Sequence, residues 1–318
     1  NIYFLGLIIL CYINSMILIG ENIHVISKSV QKALIERDEI FIKNLIELQS
    51  NMDYIDLNVG PAKGDMAGVL PWLARLADGK KLSFDTTNSD EMSAAFEVCK
   101  NSSEAFINST GKDEPRLSKM TELAARYNSN LIALTLSKET GIPKTSDGRL
   151  EIAFEIYEKC LEKGLESEKI FFDPLILPVS VDQSQAMEAI NTIKMIKESF
   201  DPPVKTVVGL SNISNGSPKE LRPLINRVFG VLAFGAGLDA AIVDASDNEL
   251  TRIFRMLEKK SPENETDKLY LNLAAMVEEF GDVSEIKYNK EDTVQSEIIK
   301  TAEILTGSKI YSHSFTQI

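Results

Sequence analysis

The sequence predicts one α/β domain folded as an eight-stranded (β/α)8 barrel, and three observations lead there. Eight short apolar runs recur along the chain, separated by stretches with the 3.6-residue periodicity of amphipathic helices. Strands that alternate with helices pair in parallel through right-handed crossovers, and eight such units close naturally into a barrel. Polar residues stand after many of the runs, and no GxGxxG follows the first, so a doubly wound open sheet with one switch point is the second choice.

In chain order, Ile17 to Gly20 is the first run, ending in Glu21 and Asn22, and a helix is predicted roughly from Ser29 to Asn51. The next three runs are Tyr54 to Gly60 (YIDLNVG), Lys81 to Asn88 (KLSFDTTN) and Glu104 to Thr110 (EAFINST). Leu131 to Ser137, Ile170 to Pro174, Val204 to Asn212 and Leu238 to Asp244 complete the eight, with helical periodicity clear at Ile152 to Leu161 and Met187 to Ile196. In the seventh run Val204, Val207 and Val208 with Thr206 suit a buried strand, and Gly209 lets the backbone turn sharply into Leu-Ser-Asn. Beyond a helix from Ser246 to Lys259, residues 261–290 are rich in Glu, Lys, Asp and Asn with weak periodicity. They read as a partly helical surface insertion in a barrel domain spanning residues 16–318, which a helix from Thr293 to Leu305 brings toward its end.

With 318 residues, 44% hydrophobic and 25% charged, the chain can bury the core such a barrel needs. A net charge of −13 argues against nucleic acid as a partner, because phosphate neutralisation requires a basic face, and it would repel an anionic membrane. Cys11, Cys99 and Cys160 form no CxxC pair, and with two histidines beside them no structural zinc or iron–sulfur site is expected; they suit a reducing cytoplasm. Residues 1–15 are an apolar leader. Its continuous part is shorter than the ~20 residues of a membrane span and follows no Lys or Arg, and Met16 reads as a natural start.

Catalytic groups of a (β/α)8 barrel come from the C-terminal ends of its strands. Those ends carry Glu21, Asn22, Asp56, Asn58, Asp85, Asn88, Asn108, Ser109, Asp173, Asn212 and Asp244, with no cation among them. A phosphate site would want a Gly-rich helix start or Lys and Arg, and a serine or cysteine nucleophile would want a histidine base; neither is present in a motif. Carboxylates holding Mg²⁺ are the competing view. A cluster of Asp and Asn fits better a neutral, nitrogen-rich heterocycle, since Asp accepts from a ring N–H and an exocyclic amino group together while an Asn amide complements a lactam. Simpler roles stand beside these: Asp85 and Asp173 as caps or turn formers, Asp56 as a structural residue, Asn58 as either loop former or ligand contact, and Asp244 as a helix N-cap.

The segments GENI, DLNVGPA, SFDTTN, INST, TGIPK, DPLILP, TVVGLSNIS, RPLINR and GLDAAIVDA, in that order, resemble the pterin-binding methyltransferases. The resemblance is nearest to the methyltetrahydrofolate:corrinoid/iron–sulfur protein methyltransferases and implies a barrel of the pterin-binding type. It implies methyl transfer between N5 of methyltetrahydrofolate, a substrate, and the cobalt of a cobalamin carried by a corrinoid protein partner, in a cytoplasmic homodimer. Asp85, Asn108 and Asp173 would bind the pterin ring, with Ser109, Asn58, Asn215 and Arg222 as further substrate-binding residues, and Asn212 would approach N5 as the catalytic residue. The chain departs from that pattern at Asn215, where a Gln is expected, in a longer loop to Arg222, and in residues 261–290. These departures lean toward transfer from corrinoid to tetrahydrofolate. The alternatives are a dihydropteroate synthase, which would want Lys and Arg for a pyrophosphate leaving group, and a folate-binding barrel without catalysis.

Overall fold

The computed structural model describes residues 15–317, so the apolar leader up to residue 14, with Cys11, lies outside the described residues. All eight apolar runs form strands: β1 (Ile17–His24), β2 (Tyr54–Gly60), β3 (Leu82–Thr86), β4 (Phe106–Thr110), β5 (Asn130–Leu134), β6 (Ile170–Asp173), β7 (Lys205–Gly209) and β8 (Ala240–Val243). They pair in parallel in chain order, and β8 closes the barrel against β1. Around them lie α1 (Lys28–Glu36), α2 (Glu39–Leu48), α3 (Val69–Leu76), α4 (Ser89–Val98), α5 (Arg116–Tyr127), α6 (Ser146–Glu162) and α7 (Ser184–Ser199). The ring continues through α8 (Arg222–Gly235), α9 (Asn248–Lys259), α10 (Glu265–Glu278) and α11 (Thr293–Leu305). Among the described residues no helix is long and apolar enough to cross a membrane.

Local chemistry explains where these elements depart from the sequence reading. The single helix expected from Ser29 to Asn51 is two. Arg37 ends α1 in the left-handed region at φ 55°, and the Asp38 carboxylate caps α2 by accepting from the Phe41 N–H at 3.0 Å. Strand β1 runs past Gly20 to His24 because its register against β2 shifts between Gly20 and Ile23. The expected strand end at Leu210 to Asn212 is a turn of 3-10 helix, Leu210–Ser214.

The barrel lumen is filled from below by Ile19, Tyr54, Phe106, Ile132, Phe171, Val207 and Ala240. Phe106 packs edge-on against Tyr54 and Phe171, with ring centroids 4.9 and 4.7 Å apart. This plug closes the N-terminal end and leaves the C-terminal mouth as the open side.

Residues 261–290 do contribute a helix on the outside of the barrel, yet its inner face is core. Leu269, Tyr270, Leu273 and Val277 of α10 are buried with α8 and α11 in one cluster. Asp267, fully buried, makes this possible by taking Arg252 of α9 in two bonds of 2.7 and 3.1 Å. Gly235, the last residue of α8, meets α10 so closely that a Cβ there would overlap the Ala274 carbonyl. Gly235→Ala is therefore expected to cost about 1–3 kcal/mol by prising the helices apart; a denaturant midpoint unchanged by the substitution would contradict this packing.

Candidate active site

Side chains facing a barrel lumen recur every second residue along a strand. Two residues beyond the apolar plug, the next inward layer is Glu21 on β1, Asp56 on β2, Asn108 on β4, Asp173 on β6 and Gly209 on β7. The lumen thus changes from hydrocarbon to carboxylate and amide within one step, at the end from which loops lead to the helices. Asn58, Asp85 and Asn108 stand level with one another across β2, β3 and β4.

Asp56, only 2% exposed, underpins this group by accepting from the Ser83 hydroxyl at 2.6 Å and from Asn108 Nδ2 at 3.2 Å. Burial, and then the nearby Asp85, push its carboxyl well above the usual range. Asn108 is thereby oriented with its Oδ1 unbonded within the protein. Asn58 donates to Asp85 Oδ2 and accepts from the Gly60 N–H, so its amide serves to orient Asp85. Burial raises Asp85 to about 6, opposed by the Asn58 hydrogen bond and the Arg116 charge. Arg116 itself donates to the carbonyls of Ser109, Thr87 and Thr86 at 2.8, 2.9 and 2.8 Å, tying the ends of β3 and β4 together. Ser109 enters this web through its carbonyl.

Across the mouth, Asp173 accepts from the Leu175 N–H at 2.7 Å through Oδ1 and leaves Oδ2 unbonded. Burial raises it to about 7 against the pull of that N–H and of Arg149. Arg149, wholly buried, donates to the Pro143 carbonyl at 3.0 Å and to Gln185 Oε1 at 2.6 Å, holding the TGIPK loop to the start of α7.

Asn212 lies in the 3-10 turn after β7. The absence of a side chain at Gly209 admits its amide, because a Cβ there would come within 2.9 Å of Asn212 Nδ2. Asn215 donates to Asn212 Oδ1 at 3.3 Å, which leaves Nδ2, over Gly209, as the unbonded end of the amide among the described residues. The neighbouring Ser211 hydroxyl donates to Glu21 Oε1 at 2.5 Å. Burial raises Glu21 to about 7; the Ser211 bond lowers it, and Asp244 and Asp56 add to the rise.

Among the described residues Asp85, Asn108 and Asp173 therefore each keep an acceptor free, Asn212 keeps a donor free, and all four stand at the C-terminal ends of their strands. Arg222, at the start of α8, lies to one side of this group with its Nε on the Ser217 carbonyl at 3.0 Å. Asp244 is not the N-cap of α9, a place Asp247 takes; it binds Asn22 Nδ2 at 2.7 Å and so joins β8 to β1. Among the described residues no cluster of His, Cys, Asp or Glu is arranged to hold a metal ion. Arg116 and Arg149 are the contributors that the strand-end reading does not name; Glu21 stands among the strand ends, with no expected role in binding the ring.

The family model described as pterin binding enzyme matches residues 55–244, more than half of the chain and the whole stretch from β2 to β8. The chain belongs to the pterin binding enzyme family. Within the pterin binding enzymes, a methylcorrinoid:tetrahydrofolate methyltransferase of Eubacterium limosum is 27% identical over 242 residues, covering 74% of this chain and 87% of that protein. A methionine synthase of Mycobacterium tuberculosis is 30% identical over 246 residues, 73% of this chain, but the match spans only 20% of that longer protein. Among solved structures, a Coxiella burnetii dihydropteroate synthase in complex with pteroic acid superposes with a TM-score of 0.56, at 14% identity, covering 78% of this chain and 94% of that one. A Yersinia pestis dihydropteroate synthase gives 0.54 at 14% identity, covering 78% and 95%. At such identities these two structures carry the barrel fold alone.

Proposed function

We propose that the chain is a methyltransferase acting between N5 of a tetrahydrofolate and the cobalt of a corrinoid held by a partner protein, in the direction from methylcorrinoid to tetrahydrofolate. The observation that carries this reading is the set of unspent polar atoms at the rim: acceptors on Asp85, Asn108 and Asp173, and a donor on Asn212. A reduced pterin offers ring N–H groups and an exocyclic amino group, which require such acceptors, and a ring nitrogen that profits from one donor. The Eubacterium limosum relative, matched over most of its length and named for methylcorrinoid and tetrahydrofolate, supports the substrate pair and the direction.

The partner's corrinoid supplies the methyl on cobalt; the N5 lone pair takes the methyl carbon, the cobalt–carbon bonding pair stays with cobalt, and the N5 proton departs. This chain supplies orientation and proton management. Asp85 and Asp173 fix the ring, which converts a bimolecular encounter into an aligned one. Asn212 releases no proton at neutral pH, but its amide beside N5 can follow the change in charge there, its Nδ2–H meeting the free lone pair and, once the amide is rotated, its oxygen accepting from the N5–H as positive charge grows. Glu21, raised to about 7 and bonded to the Ser211 hydroxyl beside Asn212, is a carboxyl suited to proton exchange at neutral pH.

The test is an anaerobic mixture of the protein, methylcobalamin and tetrahydrofolate. Protein-dependent loss of methylcobalamin absorbance, with 5-methyltetrahydrofolate formed in equal amount, is expected. A reaction no faster than the protein-free control, in either direction, would contradict the assignment.

A further inference from the structure

Among the described residues Arg149, in the first turn of α6, is the only Lys or Arg that is buried, and it forms no ion pair. A guanidinium taken out of water costs several kcal/mol unless partners replace the lost solvation. Nε and Nη2 are spent on the Pro143 carbonyl and on Gln185 Oε1, whereas Nη1 has no partner among the described residues. A cation so placed calls for a counter-charge.

Its surroundings are fixed from two sides. Gln185 Nε2 donates to the Lys144 carbonyl at 3.1 Å, and Glu188 Oε2 accepts from the Ser146 N–H at 2.6 Å, so the start of α6 is tied to α7 around the guanidinium. At the other end of the same loop the Asp173 carbonyl accepts from the Thr135 N–H and hydroxyl at 3.0 and 3.1 Å. The loop of residues 135–145 thus spans from Asp173 to Arg149. Burial lowers Arg149, while Glu188 of α7 and then Asp173 of β6 pull the other way; the charge that acts against burial on Asp173 is that of Arg149. Glu188 is engaged at the head of α6, and Asp173 has Oδ2 unbonded.

We infer that Arg149 is a positioning residue for ring binding, a buried counter-charge behind Asp173 that keeps its side chain a carboxylate while Oδ2 accepts from the pterin. The inference rests on the folate reading above. A ring N–H and an exocyclic amino group are donors, so a protonated carboxyl would set donor against donor. An aspartate at this depth with no cation near it would stay neutral through neutral pH. Arg149 acts through Asp173 and not on the ring itself.

Anaerobic calorimetry with tetrahydrofolate from about pH 6 to 9, on the full chain and its Arg149→Gln, Asp173→Asn and doubly substituted variants, tests this. Arg149→Gln should move the rise in affinity up by about one pH unit, weakening binding by up to about tenfold near pH 6.5 and by less than about threefold near pH 9. In the Asp173→Asn background the same substitution should change affinity by less than about twofold, because the group it acts through is gone. An equal loss at every pH, or a loss that persists in the double variant, would make Arg149 a clamp for the loop and overturn the role. The carbon-13 carboxyl signal of Asp173, identified by its absence from Asp173→Asn, reads the pairing without folate: it should titrate near 7 in the native protein and higher in Arg149→Gln. A native midpoint above about 9, the range of carboxyls buried with no cation, would overturn the pairing even if Arg149→Gln did not fold. Tetrahydrofolate left unbound by the native protein would instead overturn the folate reading, with the carbon signal still deciding the pairing.

Discussion

Replacing Asn212 by Ala will slow methyl transfer by about 10²- to 10³-fold, the loss typical of removing a polar group placed where charge changes in the transition state. Folate affinity should change by no more than a few-fold, because the Asn212 amide matters most when the nitrogen's bonding changes. Geometry makes Asn212 a sensitive place for this test. Its amide is held from one side by Asn215 and admitted from the other by the bare Gly209, so truncation removes the donor without leaving a packed cavity. Equal losses in rate and affinity, by single-turnover kinetics beside calorimetry, would reduce it to an ordinary binding contact.

Asp173→Asn should produce the largest loss in binding. Exchanging a charged acceptor for a neutral amide removes about 1.5–3 kcal/mol, or roughly ten- to hundredfold in affinity. It should also change the pH dependence. Burial raises Asp173 to about 7, so between the ordinary carboxylate value of about 4 and that point the native protein binds more protons than the unfolded chain. The contribution of Asp173 to stability accordingly falls as pH rises through this window. Ring N–H donors favour the ionised carboxylate, so affinity runs the opposite way and climbs toward neutral pH, by up to about tenfold per unit below the carboxyl's pKa. Asp85, raised to about 6, adds a second such dependence at lower pH. In the Asp173→Asn variant the step near 7 should be gone; its persistence would assign the titration elsewhere, as to Glu21, also raised to about 7.

Much of the fold is legible in the sequence. The barrel follows from eight apolar runs with helical spacers; Asp85, Asn108, Asp173 and Asn212 are among the polar side chains at the strand ends, and it is the family resemblance that singles them out. What stayed hidden depends on contacts distant in sequence or on local backbone shifts. Arg116 lies seven residues past Ser109, and nothing nearby marks it as a clasp for three carbonyls. Arg149 carries no mark in the sequence, yet it is wholly buried and bonded to Pro143 and Gln185. Glu21 is named among the strand ends, but its bond to the Ser211 hydroxyl of the turn after β7 joins residues far apart in sequence and is not visible there. Residues 261–290 look weakly periodic because Asp267 stands on the buried face of α10, and only Arg252 on another helix makes that placement tolerable.

The central claim is that four side chains on β3, β4, β6 and the turn after β7 hold one pterin ring with N5 beside Asn212. A structure of the chain bound to 5-methyltetrahydrofolate tests it most directly. The ring should lie above the Phe106 and Phe171 plug, hydrogen-bonded to Asp85, Asn108 and Asp173, with N5 in reach of Asn212 Nδ2. A folate bound elsewhere, or turned so that N5 faces away from Asn212, would contradict the account.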